Sequence, residues 1–110
     1  MTSKELRKLK NQLLNLSRLE GTKHLTLHQL TAFISAVDSR GLATISSLAA
    51  EMDKPTASIV RSIDVWCPEG RGPQKRGLAL LERVPDLEDR RSHTLKLTEK
   101  GRAFLEEVAK

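Results

Sequence analysis

Residues 89–101 read Asp-Arg-Arg-Ser-His-Thr-Leu-Lys-Leu-Thr-Glu-Lys-Gly. A charged turn gives way to alternating apolar residues and then to a threonine that opens a helix. The alternation through Thr94, Leu95, Lys96 and Leu97 has the period of a half-buried strand, with Leu95 and Leu97 inward. Upstream, Leu78 to Val84 reads as the partner strand and Pro85 to Ser92 as the turn between them. Thr98 is an N-cap for a final helix carrying Phe104, Leu105 and Val108. A hairpin running into a helix is the layout of a wing. A basic wing tip beside a helix-turn-helix holds DNA by two grooves at once.

The helix-turn-helix lies upstream. Thr26 with Gln29 three residues later is a capping-box start. Leu27, Leu30, Ile34 and Val37 recur on one face of the helix that follows, widened by Ala32, Phe33 and Ala36. This helix is expected to end near Asp38-Ser39-Arg40-Gly41. Leu42-Ala43-Thr44 is a short extended piece, and Ile45, Leu48, Ala49 and Met52 form the inner face of the next helix. Asp53-Lys54-Pro55 makes a turn, and Pro55 suits the first turn of a further helix of about twelve residues. There Ile59, Ile63 and Trp66 face the core, with Trp66 as an anchor. Thr56, Ala57, Ser58, Arg61 and Val65 face away. A small, polar, basic outer face fits the major groove, where Arg61 can pair with guanine and Thr56 and Ser58 can meet bases or phosphates. Val60 on the same helix offers only an apolar contact, as to a thymine methyl.

Residues 3–20 carry Leu6, Leu9, Leu13 and Leu16 at alternating three- and four-residue steps, with Leu14 beside them and basic residues over the other face. The stripe lasts barely two heptads and cannot be stable alone, so it packs on its own domain or on a second copy. Gly21 is a candidate C-cap. Residues 67–77 hold Gly70, Gly72 and Gly77 with Pro68 and Pro73, a loop composition. Its Arg71, Lys75 and Arg76 either track phosphates or belong to a solvated loop. The fold expected is mainly α with a small β-hairpin wing (α+β), a winged helix-turn-helix. Residues 1–21 form an N-terminal amphipathic helix for dimerisation or packing, and residues 22–110 the DNA-binding domain.

Composition narrows the function. A chain of 110 residues is one domain on size. The 19 Lys and Arg against 14 Asp and Glu leave a net charge of +5, which favours a polyanionic partner. Cys67 is the single cysteine, so no disulfide forms within one chain. It is either a buried thiol or a redox sensor beside Arg71. No apolar run approaches the ~18 residues of a membrane span. Lys4, Arg7, Lys8 and Lys10 interrupt any signal-peptide apolar region, so a cytoplasmic location is expected. With no Tyr, and Phe33, Phe104 and Trp66 the only aromatics, no cofactor is expected. His24 and His28 stand four apart without an evident third ligand, so no metal is expected. Paired carboxylates, a nucleophile with its base and a phosphate-cradling loop are all missing, so no catalytic residue and no enzyme is expected. Gly70-Arg71-Gly72 is too short a pattern to change that.

At the wing tip, Arg90 and Arg91 suit the minor groove or phosphates, and Asp89 pairs with Arg91 to stiffen the turn. His93 at the wing base meets phosphate or water. The spacing Asp-x-Arg-x₅-Leu-Thr-x-x-Gly is met by Asp89, Arg91, Leu97, Thr98 and Gly101. In these residues the chain resembles the MarR family of bacterial transcription regulators. Leu25-Thr-Leu-His-Gln-Leu30 is similar to the start of that family's second helix, Thr44-Ile-Ser-Ser-Leu-Ala49 to its helix-turn-helix entry, and Pro55 through Arg61 to its recognition helix. The resemblance spans roughly residues 22–108. It implies a sequence-specific regulator of double-stranded DNA, usually a repressor, acting as a homodimer on a pseudo-palindromic operator and sometimes released by a small phenolic ligand or an oxidant. The DNA-binding set it implies is Thr56, Ala57, Ser58, Arg61, Arg90 and Arg91, with Arg71, Lys75 and Arg76 in a loop longer than the family's. The family usually continues into another helix beyond the position of Lys110. Dimerisation is therefore expected on Leu6, Leu9, Leu13 and Leu16 with Phe104 and Val108. The alternative is a winged-helix protein-interaction module, or a replication or partition accessory of plasmid or phage type.

Overall fold

The computed structural model describes residues 1–19, 21–22, 24–68, 77–85 and 93–110. In chain order the elements are α1 (Ser3–Ser17), α2 (Leu27–Asp38), α3 (Ile45–Met52), α4 (Thr56–Asp64), β1 (Leu81–Pro85), β2 (His93–Leu97) and α5 (Glu99–Ala109). The strands pair antiparallel, with Leu81 opposite Leu97 and Pro85 opposite His93. Helices α2, α3 and α4 pack on one another around a core that includes Phe33, Leu48, Ile59, Ile63, Trp66, Leu81 and Leu95. This is the winged helix-turn-helix expected from sequence.

Local chemistry sets most helix starts. The Thr26 hydroxyl accepts from the Gln29 N–H at 3.1 Å, and the Gln29 side chain accepts from the Thr26 N–H at 2.8 Å. Thr44 and Ser47 make the same reciprocal pair at the start of α3. Such caps satisfy N–H groups that a first helical turn leaves without carbonyl partners.

The buried face of α2 is the expected one rotated toward its Ala32, Phe33 and Ala36 edge. Ala32, Phe33 and Ala36 are buried and Leu30 and Val37 half-buried, whereas Leu27 and Ile34 remain 76% and 63% exposed. The cause is Trp66. Its ring stacks on Phe33 with centroids 4.3 Å apart, and its indole N–H donates to the Gln29 carbonyl at 2.8 Å. These two attachments fix the rotation of α2, and the small Ala32 and Ala36 allow a close approach on that side.

Helix α4 buries Ile59 and Ile63, with Trp66 just beyond its end, as their spacing predicts. It has 9 residues, fewer than expected. The Trp66 N–H bonds to the Ile63 carbonyl three residues back, and the Trp66 carbonyl accepts from Leu80 and Leu81 at 2.8 and 2.9 Å. Pro68 also pushes Cys67 away from helical backbone angles. Val65, expected to face outward, packs half-buried against the core, and its carbonyl accepts from Leu78. Because Leu78, Leu80 and Leu81 bond to Val65 and Trp66 just past α4, β1 begins at Leu81 rather than Leu78. Ala43 contributes one carbonyl to the Leu95 N–H at 2.9 Å, so Leu42-Ala43-Thr44 meets the hairpin without becoming a strand.

The wing joins α5 through three residues of the quoted stretch. Leu97 packs half-buried against the core. The Thr98 hydroxyl accepts from the Gly101 N–H at 2.9 Å and donates to the Ala79 carbonyl at 2.7 Å. A Cβ on Gly101 would overlap the Leu80 carbonyl oxygen and press on the Leu97 side chain, so only glycine fits there. The Leu-Thr-x-x-Gly spacing is thus a cap and a close approach in one.

Helix α1 stands apart. It ends at Ser17 with Arg18 as its cap, so Gly21 is not the C-cap; its φ of +84° serves the turn beyond. The Thr22 hydroxyl sits 2.8 and 2.7 Å from the Leu16 and Leu19 carbonyls, closing the helix end. None of its residues is buried. Leu6, Leu9, Leu13 and Leu14 are exposed and Leu16 half-buried. Its main neighbour is α5, where the Asn15 amide donates to the Val108 and Lys110 carbonyls at 3.1 and 2.8 Å.

Candidate nucleic-acid interface

With Ile59 and Ile63 turned inward, α4 presents Thr56, Ala57, Val60 and Arg61 to solvent. Ser58 is half-buried and lies on a flank of the helix rather than on its outer ridge. It lines a cleft of about 130 Å³ with His28, Met52, Lys54, Ile59 and Ser62. The turn into α4 is set by Asp53, whose left-handed φ of 52° reverses the chain, and by Pro55 as N-cap.

The opposite flank of α4 meets the wing. Arg83 on β1 pairs with Asp64 at 2.5 Å, both only partly exposed. A charge-assisted bond across a partly desolvated contact holds geometry better than a surface pair. It ties the hairpin to the helix that carries Arg61. Sequence reasoning missed this pair. Its signal was an arginine at an inward-alternating strand position, which needs a carboxylate partner somewhere in the fold.

The wing-tip residues Asp89, Arg90 and Arg91 and the loop residues Arg71, Lys75 and Arg76 lie outside the described residues. At the base of the wing His93 is exposed and sits opposite Pro85. Arg61 on α4 and His93 on β2 are therefore linked through β1, which pairs with β2 and is tied to α4 by the Arg83–Asp64 pair and to Trp66 by its carbonyl bonds.

Other candidates settle differently. Cys67 is fully buried in the core, away from the solvent that a redox-sensing thiolate requires. Phe104 packs edge-on against Phe33 and Trp66, with centroids 5.9 and 6.3 Å away, and its remaining face borders an open cavity of about 490 Å³ beside Leu19, Leu78 and Leu80. Val108 is half-buried. His24 and His28 are both exposed. Among the described residues, no three His, Cys, Asp or Glu side chains gather as metal ligands, and no helix is long and apolar enough to cross a membrane.

No protein-family model matches the chain, and neither does any curated protein. Solved structures do. The transcriptional regulator Tm0710 from Thermotoga maritima superposes with a TM-score of 0.63 at 19% identity, covering 96% of this chain and 68% of that one. Wild-type MarR from E. coli in its apo form gives 0.61 at 21% identity, over 98% of this chain and 74% of its own. A MepR-like protein solved with pseudoligands gives 0.58 at 27% identity, over 96% and 62%. The likeness covers nearly the whole chain, and so takes in α4 and the hairpin strands as well as the outer helices. The chain has the winged-helix fold of the MarR-family transcriptional regulators.

Proposed function

We propose that this protein is a non-enzymatic, cytoplasmic transcription regulator that binds double-stranded DNA sequence-specifically, as a repressing homodimer on a pseudo-palindromic operator. The observation that carries the reading is α4. Its apolar side is locked by Ile59, Ile63 and Trp66, and that leaves Arg61 exposed on the outer ridge beside Thr56 and Ala57. A helix so held can enter the major groove with Arg61 aimed at base edges. The net charge of +5 supplies attraction to phosphates, and counterion release makes binding salt-dependent. The exposed leucines of α1 support the homodimer, because two copies of this stripe would cover each other.

The test is a binding selection of the purified protein against random duplex DNA at ~0.15 M salt, where non-specific attraction is screened. A two-fold-symmetric motif with half-sites about one helical turn apart is expected. Binding without any motif would remove the operator reading, and no retention would leave the protein-interaction module. Arg61→Ala relaxes base preference in the same selection. Arg90→Ala weakens all sequences alike and flattens the salt slope, as a wing contact to phosphate requires.

A further inference from the structure

A recognition helix seated in the major groove has a sugar-phosphate strand along each side. At 3.6 residues per turn, Asp64 and Ser58 stand about 60° to either side of Arg61 around α4. The Asp64 flank belongs to the wing through Arg83. The Ser58 flank opens onto the cleft lined by His28, Met52, Lys54, Ser58, Ile59 and Ser62.

The polar groups of this cleft come from three places in the fold. His28 lies in the first turn of α2, Lys54 in the turn between α3 and α4, and Ser58 and Ser62 one turn apart on α4. His28 and Lys54 are exposed, while the two serines are half-buried. Met52 and Ile59 supply an apolar wall. Among the described residues, no carboxylate lines the cleft. Glu51 and Asp53, the nearest in sequence, are not part of its lining, and Glu51 accepts from the Ser35 hydroxyl at 3.2 Å. An ammonium offers donors only, and hydroxyls donate as readily as they accept. A small anion is the ligand such a set takes.

We propose that this cleft is a backbone clamp, in which Lys54, His28, Ser58 and Ser62 take one phosphodiester of the DNA strand that borders α4 on the side away from the wing; this rests on the DNA-binding reading above. The wing and the clamp then grip the two strands that flank one groove, with Arg61 between them. Of the bases or phosphates that Ser58 could meet, the clamp gives it a phosphate, and it becomes a positioning residue that carries no sequence information. Base reading falls to Arg61, Thr56 and Ala57.

The test uses the full chain and fluorescence anisotropy over a salt series, with the selected duplex and a scrambled duplex of equal length. Lys54→Ala is expected to weaken both duplexes by the same factor and to lower the salt slope by roughly one, the share of one phosphate contact. Lys54→Arg keeps the slope. Thermal unfolding of Lys54→Ala stays at the wild-type midpoint, because the side chain is exposed. A neutral methylphosphonate walked along the duplex should weaken wild type at one phosphate per half-site and leave Lys54→Ala indifferent at that position. An unchanged slope in Lys54→Ala on a duplex that wild type binds would overturn the clamp alone. A loss confined to the selected duplex would make Lys54 a base reader and overturn it too. Failure of the wild-type chain to bind any duplex would bring down the DNA reading, and the clamp with it.

Discussion

Helices α4 and α1 are both amphipathic, and they meet opposite fates. The 9 residues of α4 place Ile59 and Ile63 out of reach of solvent, and Trp66 follows at the same depth. Of the 15 residues of α1 none is fully buried, although its leucine spacing is the more regular of the two. A helix this short is marginal in water by itself, so α4 owes its stability to tertiary packing. Periodicity identifies which face is apolar and leaves open what covers it. For α4 the cover is the chain's own core. For α1 the chain supplies α5 along one side, and the homodimer proposed above would supply the rest.

The contrast can be broken in several places. Trp66→Ala should cost about 3–5 kcal/mol of stability in urea unfolding, since it removes the Phe33 stack and the bond to Gln29. A cost below about 1 kcal/mol would mean α2 is held by something else. On α1, Leu6→Ala, at a side chain still 58% exposed, should change monomer unfolding little and weaken dimerisation by about 1–1.5 kcal/mol per protomer, read by sedimentation across a dilution series. If stability falls with no change in association, the stripe is covered within the chain. Gly101→Ala should destabilise by about 1–3 kcal/mol despite alanine's better helix propensity, because the Leu80 carbonyl occupies the space. A rise in the melting midpoint would show that the wing and α5 can separate freely. Thr98→Ala removes the cap at the same junction and should cost about 1 kcal/mol. Leu27→Ser on the exposed ridge of α2 should stay within about 0.5 kcal/mol of wild type, and a larger loss would place that ridge in an interface.

The parts of the fold legible in sequence depend on neighbours a few residues apart. Thr26 with Gln29, Thr44 with Ser47 and Thr98 with Gly101 bond within one helical turn. Ile59, Ile63 and Trp66 share a face at helical spacing, and Leu95 and Leu97 share one at strand spacing. The exposure of Arg61 follows from the same count, since a residue two positions from Ile59 and from Ile63 faces away from both. The errors concern distant partners. The rotation of α2 depends on Phe33 meeting Trp66, and the shortened start of β1 on the Trp66 carbonyl meeting Leu80 and Leu81.

By itself the amino-acid sequence determined where helices start, which face of α4 is apolar, and that a hairpin leads into the last helix. Each of these is a contest between a few local hydrogen bonds and a short run of side chains, and its outcome is written in adjacent residues. Only the tertiary structure decided that Ile34 faces solvent while Ala36 does not, that Asp64 clasps Arg83, and that His28, Lys54 and Ser58 line one cleft. Those outcomes depend on how close separate elements can approach, and that distance is set by the packing of side chains far apart in the chain.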